Sequence, residues 1–221
     1  MAWISKTDNK DTTYKEQILA RVRNAVIEKP EAMFKDIDKR SDTWVPIKEE
    51  DGTAITFVQH FQEQDGIFVY LESEDEFVEC IRQLAPQNGW EPLCCTSPTM
   101  QAVLKRNGIA FTASTDGGQK LVCLTDCEFL VAQTGSIVVS DAMTQARATY
   151  SAPDVLLVYA TTGQIVGGLK DAFAVLRMKY GNDLPRQISF ITGPSRCTDI
   201  EQTPVVGACG IRQVAVFLVQ E

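Results

Sequence analysis

Residues 67–87 read IFVYLESEDEFVECIRQLAPQ and set a short apolar run directly before an amphipathic segment. The run Ile67–Leu71 is rich in β-branched and aromatic residues, which is typical of a strand. Ser73 and Glu76 have the spacing of a capping box, in which two side chains satisfy free amides at the start of a helix. Apolar residues then recur at helical spacing: Phe77, Ile81 and Leu84. The stretch therefore predicts a strand followed by a helix.

The same alternation of short apolar runs and amphipathic segments continues along the chain. Helices are predicted over residues 13–29, 53–65, 97–108 and 171–180. Further strands are predicted at Leu93–Cys95, Ile109–Phe111, Leu121–Leu124, Ile137–Val139, Val155–Tyr159, Ile188–Thr192 and Val214–Val219. This pattern predicts an α/β fold whose mostly parallel sheet is buried on both faces.

The composition is that of a soluble globular protein, with 221 residues of which 44% are hydrophobic and 23% are charged. A net charge of -8 without a basic patch disfavours a nucleic-acid binder. The chain has no run of 18 apolar residues, so no membrane-spanning helix is predicted. Its opening, MAWISKTDNKDTTYKE, lacks the apolar stretch of a secretory signal, and a cytoplasmic location is expected.

Cysteine and histidine usage restricts the kinds of site that the chain could hold. The seven cysteines have no regular spacing and no CxxC pair, which argues against a disulfide framework and against an iron–sulfur cluster. His60 is the only histidine, so sites that need several histidines are excluded. We expect the cysteines to be buried thiols, and we expect no metal site and no bound cofactor.

Residues 1–52 are predicted to form an N-terminal helix and an extended arm, separate from a domain that spans residues 53–221. The arm, residues 31–52, is polar apart from an apolar patch around Trp44 and Ile47. Because such a segment becomes ordered by burying its apolar patch, the arm is expected to dock. Its own domain, a partner protein and a second copy of the chain in a homodimer remain alternatives.

Three loops next to predicted strands are the candidate functional segments, because ligands in parallel α/β sheets bind at strand ends. They are Gln133–Ser136, Thr161–Val166 and Thr192–Glu201. Glycines and hydroxyl groups there leave amides accessible to an anion, and Arg196 has the fork geometry that carboxylates and phosphates fit. The first and third loops are expected to share one rim of a parallel sheet and to surround one polar pocket.

The candidate ligand-binding residues are Thr134, Gly135, Ser136, Gln164, Gly193, Ser195 and Arg196. Asp199 and Glu201 are the candidates for a catalytic acid, base or nucleophile. A purely structural alternative stays open, in which Arg196 pairs with Asp199 or Glu201 only to hold the loop.

Taken in this order, the three loops resemble those of the LUD-domain family of the lactate utilization protein C (LutC/YkgG) type. The family's long signature is similar to Gly193–Glu201, which reads GPSRCTDIE, and the turn that follows it is similar to Gly207–Ile211. The resemblance covers roughly residues 55–221. The chain departs from the family pattern at four places: Gln133 replaces an acid, Gly163 replaces a serine, Cys197-Thr198 replaces Thr-Ala and Ile211 replaces a proline.

This resemblance implies a Rossmann-like three-layer sandwich of the NagB/RpiA/CoA-transferase kind. It also implies an accessory subunit of a lactate utilization system, which oxidises L-lactate to pyruvate together with iron–sulfur partner proteins. Two other functions stay open. One is a module that binds a small anion or nucleotide without chemistry, and the other is a stand-alone enzyme acting on acyl, formyl or sugar-phosphate substrates. Whether the chain is an enzyme by itself is not decided by these residues.

Overall fold

A computed structural model describes residues 13–27, 52–114, 121–143, 147–198, 204–208 and 210–221. The predicted arm around Trp44 and Ile47, together with Asp199 and Glu201, lies outside these described residues. The chain divides into two compact units, Met1–Val45 and Pro46–Glu221. The boundary predicted after residue 52 stays a prediction. None of the helices in the described ranges has the length and apolarity that crossing a membrane requires.

Among the described residues of the first unit, Tyr14–Ile27 form helix α1. The helices of the second unit are α2 (Thr53–Glu63), α3 (Glu74–Gln87), α4 (Pro98–Arg106), α5 (Ala148–Ser151) and α6 (Leu169–Tyr180). Its strands are β1 (Ile67–Leu71), β2 (Leu93–Cys95), β3 (Phe111–Thr112), β4 (Val122–Asp126), β5 (Phe129–Val131), β6 (Ser136–Ser140), β7 (Val155–Thr161), β8 (Ile165–Val166), β9 (Ile188–Ile191), β10 (Arg196–Thr198), β11 (Pro204–Val206) and β12 (Gln213–Val219). A 3₁₀ turn, Thr162–Gln164, joins β7 to β8.

Side-chain caps explain where the helices begin. The Ser73 hydroxyl accepts a hydrogen bond from the Glu76 amide at 3.3 Å, as the sequence predicts. The Glu76 carboxylate receives the amide of Glu72 at 2.8 Å, one residue earlier than the predicted box. At α4, Ser97 takes the same capping role toward the Met100 amide, and Pro98 occupies the first turn, where its missing N–H costs nothing.

Six parallel strands form the central sheet in the order β1-β12-β7-β4-β2-β3. One face of this sheet packs on α3 and α4 through a core that includes Phe77, Leu104 and Phe217. The other face packs on α2 through Phe57 and Phe61. Because both faces are covered, the strands are almost entirely apolar, and the predicted α/β class with a mostly parallel sheet is confirmed.

A second sheet of four strands, in the order β8-β5-β6-β9, lies beside α6. Strand β6 is antiparallel to both β5 and β9. The expectation that Gln133–Ser136 and Thr192–Glu201 share the rim of one parallel sheet is therefore wrong. Strand β5 is only three residues long, and it follows β4 after two residues, Cys127 and Glu128, so the apolar pattern did not separate it from the preceding strand.

Candidate functional site

The loop before β6 and the loop after β9 meet because these two strands are antiparallel neighbours. The register Ile137↔Ile191 sets Ser136 beside Thr192, and their hydroxyl oxygens are 2.7 Å apart. The Thr134 hydroxyl oxygen also lies 2.7 Å from the hydroxyl oxygen of Ser136, whose side chain is buried. The structure thus brings Thr134–Ser136 and the 192–196 loop together, although through a different sheet from the one predicted.

Two glycines in these loops allow close approach to the end of α2. Gly135 has a φ of +59°, and a Cβ there would lie 2.5 Å from the Phe61 amide nitrogen. Gly193 has a φ of +71°, and a Cβ there would overlap the Gln64 carbonyl oxygen. Only glycine suits both the left-handed backbone and the short distance. Both candidate residues therefore have a packing role against α2.

Arg196 pairs with the turn that follows α2. Its guanidinium donates to the Asp65 carboxylate at 2.8 Å and to the Gln64 side-chain oxygen at 3.3 Å. The side chain of Arg196 stays 43% exposed, so part of the guanidinium faces solvent. The ion-pair partners that the sequence predicts for Arg196 are Asp199 and Glu201, and both lie outside the described residues.

The backbone of Ser195 ties the same loop to the turn at residues 207–211. The Ser195 amide donates to the Ile211 carbonyl at 2.8 Å, and the Ser195 carbonyl accepts from the Gly207 amide at 2.7 Å. The described parts of the two segments that carry the family resemblance after β9 are thus hydrogen-bonded to each other.

Gln164 lies at a different place from the other candidates. Its side-chain oxygen accepts from the Thr161 amide at 2.8 Å, and its nitrogen donates to the Cys127 carbonyl at 2.7 Å. The register Leu130↔Ile165 sets Gln164 beside the start of β5, whereas Thr134 follows the end of β5. These hydrogen bonds join the end of β7 to the start of the second sheet.

His60 was not among the sequence candidates, although it is the only histidine and falls in a predicted helix. Its Nδ1 lies 2.8 Å from the Ala132 carbonyl oxygen. A carbonyl oxygen only accepts, so the proton of the neutral ring sits on Nδ1. His60 therefore fastens the last turn of α2 to the segment just before Thr134.

Asp126 is a second residue that the sequence reasoning missed, at the carboxyl end of β4. In the central sheet, β2 and β4 are neighbours. Strand β3 lies on the outer side of β2, and β7 lies on the outer side of β4, so the strand order reverses between β2 and β4. Such points are the usual ligand positions in open α/β sheets. The Asp126 Oδ1 atom is buried without a hydrogen-bond partner, and burial raises the pKa of this carboxyl although Ser97 opposes the shift. The sequence signal that could have indicated Asp126 is an acidic residue at the end of the apolar run that forms β4.

Glu128, unlike Asp126, is a buried carboxylate whose two oxygens both have hydrogen-bond partners. It accepts hydrogen bonds from the hydroxyls of Ser140 at 2.5 Å and Tyr180 at 2.6 Å, and from the Lys179 ammonium at 2.6 Å. Burial alone would lower the pKa of Lys179, but the hydrogen bond and charge of Glu128 raise it overall. Burial and the bond to Glu128 raise the pKa of Tyr180. The cluster fixes the end of α6 to the second sheet.

The buried cysteines are distributed over both faces of the central sheet. Cys94 and Cys123 are register partners on β2 and β4 and belong to the core against α2, whereas Cys95 belongs to the core against α3 and α4. Burial raises the pKa of Cys95 to about 12 and raises that of Cys127. Within the described ranges, no three His, Cys, Asp or Glu side chains are grouped as a metal site would require.

The fold is similar to that of a solved protein of the DUF162 family from Deinococcus radiodurans. The TM-score is 0.57, with 15% sequence identity, and the match covers 79% of this chain and 99% of that one. At this identity the similarity concerns the fold alone.

Residues 118–219 match the family model described as the LUD domain, so the predicted resemblance to that family is confirmed over this segment. Three curated relatives are each named lactate utilization protein C. Those of Bacillus licheniformis and Bacillus subtilis are 28% and 30% identical over 105 residues, which is 47% of this chain and 44% of each relative. That of Geobacillus kaustophilus is 30% identical over 96 residues, 42% of this chain and 40% of the relative. The matched segment thus spans less than half the length of these relatives.

Proposed function

We propose that the protein is an accessory subunit of a lactate utilization system that oxidises L-lactate to pyruvate. The observation that carries this proposal is the LUD domain over residues 118–219, together with relatives that bear the name lactate utilization protein C. In this proposal the electrons pass through iron–sulfur partner proteins, and this chain supports their assembly or binds the substrate.

The burial of its thiols supports the proposal that the iron–sulfur clusters are held by the partner proteins and not by this chain. Cys94, Cys123 and Cys127 are buried in the core on one face of the sheet, and Cys95 is buried on the other. Burial raises the pKa of Cys95 and of Cys127 and keeps these thiols protonated, which makes them poor cluster ligands because the thiolate is the ligand.

A specific observation favours a small carboxylate as a ligand of the loops at Thr134–Ser136 and 192–196. Arg196 presents a partly exposed guanidinium beside this pair of loops, and a second anion could share it with Asp65. The hydroxyl groups of Thr134, Ser136 and Thr192 lie in one hydrogen-bonded row, which uses two of their three protons and leaves one hydroxyl proton to donate to such a ligand. Binding without chemistry by this chain is therefore the second candidate function.

Deletion of the gene in its native host and growth on L-lactate or on pyruvate tests the first proposal. We expect growth on L-lactate to fail, growth on pyruvate to persist, and the wild-type gene to restore growth. An affinity-tagged chain purified from lactate-grown cells should carry partner proteins that contain iron. Normal growth of the deletion strain on L-lactate would refute the proposed role.

The variant Arg196→Lys tests the ligand proposal, because lysine keeps the positive charge but loses the forked geometry of the guanidinium. Arg82→Lys is the matched control, since Arg82 is also in an exposed ion pair, with Glu79 at 3.0 Å. Binding of L-lactate and pyruvate to the purified variants is measured by calorimetry. Equal binding by wild type and both variants, or no binding by any of them, would refute the ligand proposal and leave the accessory role to the growth test.

A further inference from the structure

Strand β1 is an open edge of the central sheet. It pairs with β12 along its whole length, from Ile67↔Ala215 to Leu71↔Val219, and the described residues provide no strand on its other side. Alternate backbone N–H and C=O groups of an edge strand point away from its neighbour and remain available for pairing. The sheet can therefore be extended at β1.

The two edges of the sheet are protected to different degrees. The opposite edge, β3, has only two residues, Phe111 and Thr112, and the Lys105 ammonium lies 5.8 Å from the Phe111 ring centre. Short length and a lysine are common means of protecting an edge. Strand β1 is five residues long, reads IFVYL, and has no charge, proline or glycine. Strand β1 therefore lacks the features that would keep a further strand from pairing with this edge.

The surface next to this edge is apolar. Ile67 and Tyr70 of β1 are 48% and 51% exposed, and Ile55 of α2 is 59% exposed. Between α2 and β1 lies a groove of about 420 Å³, whose apolar lining includes Ile55, Val58, Phe68, Tyr70 and Leu218. Exposed apolar patches of this kind mark interaction sites in soluble proteins.

We propose that β1 pairs with β1 of a second copy of this chain, antiparallel and about a two-fold axis through Val69. In that register Phe68 of each copy is opposite Tyr70 of the other, and Ile67 is opposite Leu71. Residues of equal parity face each other, so the side that packs on α2 is continuous across the pair. Every pair in this register joins two uncharged residues of β1, so pairing with a second copy sets no like charges opposite each other. A Tyr70 side chain from the second copy would lie at the groove beside Phe68.

Light scattering coupled to size exclusion tests the pairing on the full chain over a wide concentration range. We expect the wild type to have twice the 24.5 kDa chain mass at high concentration. Tyr70→Lys and, independently, Ile67→Lys should give monomers at every concentration, because the new charges block the edge. At concentrations where the wild type is itself monomeric, both variants should melt like it, because both side chains are half exposed. Phe173→Lys is the matched control, since Phe173 is 51% exposed on α6, and it should remain a dimer.

Val69→Cys tests the register, because residues on a two-fold axis of antiparallel strands are close enough to form a disulfide. Mild oxidation should cross-link this variant much more than the wild type, whose own cysteines give the background. A monomeric wild type at all concentrations, or a dimer that both lysine variants leave intact, would overturn the proposal. A dimer that the lysine variants abolish but that Val69→Cys does not cross-link would overturn the register.

Discussion

The guanidinium of Arg196 donates to the carboxylate of Asp65 at 2.8 Å, which joins the start of β10 to the turn after α2. Asp65 has a φ of +62°, in the left-handed region that aspartate tolerates better than most residues. The long signature that carries the family resemblance therefore contacts the turn after α2, about 130 residues earlier in the chain. Its contribution to the free energy of unfolding can be measured separately from any contribution of Arg196 to ligand binding.

Arg196→Lys should change the free energy of unfolding by less than about 1 kcal/mol, because exposed ion pairs contribute little. Both partners are exposed, at 43% and 63% for the side chains of Arg196 and Asp65. Urea unfolding of Arg196→Lys and Asp65→Asn measures the effect. A loss well above this value in both variants would indicate a structural fork, whereas a small loss with weakened ligand binding would support the functional role.

Gly135→Ala should destabilise the protein by well over the roughly 1–2 kcal/mol that a left-handed backbone costs an alanine. The added Cβ would also press on the Phe61 amide. Gly89→Ala is the control, since Gly89 has a φ of +62° and open space around the added atom. Thermal melting of both variants isolates the packing contribution, and equal losses would show that α2 does not press on this loop.

Asp126→Asn should raise the melting temperature at neutral pH. Burial raises the pKa of Asp126, so the stability that its protonated form contributes is present below the ordinary pKa of about 4 and is lost as the pH rises through the folded pKa. Asparagine does not titrate, so the two proteins should diverge as the pH increases from 3 to 7. The exposed Asp183→Asn controls for the loss of one negative charge. A difference that is constant with pH would contradict the expectation.

Glu128→Ala should destabilise the protein by about 2–3 kcal/mol, because three donors lose a buried carboxylate. The Glu128 side chain is 0% exposed, whereas Lys179 is 48% exposed and can be hydrated again, which places the loss below that of a fully buried pair. Urea unfolding measures the change. Glu79→Ala, which removes an exposed ion pair with Arg82, should have little effect, and a similar effect of both variants would refute the structural role of the cluster.

Much of the fold could be predicted from local patterns. Ser73 and Ser97 begin the helices that the sequence predicts, and the long apolar runs at β7 and β12 are strands because their residues are buried on both faces. The second sheet was not recognised. Its strands β5 and β8 have three and two residues, too few for a periodicity to show, and sheet membership depends on pairing rather than on local sequence.

The candidate site was predictable only in part, for a related reason. The pairing of Ser136 with Thr192 follows from an antiparallel register that no local pattern encodes. His60 and Asp126 were missed because a single polar residue at the end of an apolar segment has no motif, and its partners come from distant parts of the chain. The glycines were recognised as special, but the helix end that they contact could not be inferred from their own neighbours.

The pairing of β1 with β12 has a consequence for how the protein is made. Ile67 lies against Ala215, so the strand synthesised first in the sheet waits for the strand synthesised last. Strand β12 also separates β1 from β7, so until β12 has left the ribosome β1 has no strand partner and β7 has only β4. During translation the apolar strand β1 is therefore exposed with its helix α3 already made. Nascent chains of this protein should depend on chaperones until β12 is available, and they should gain protease resistance only once β12 has paired with β1.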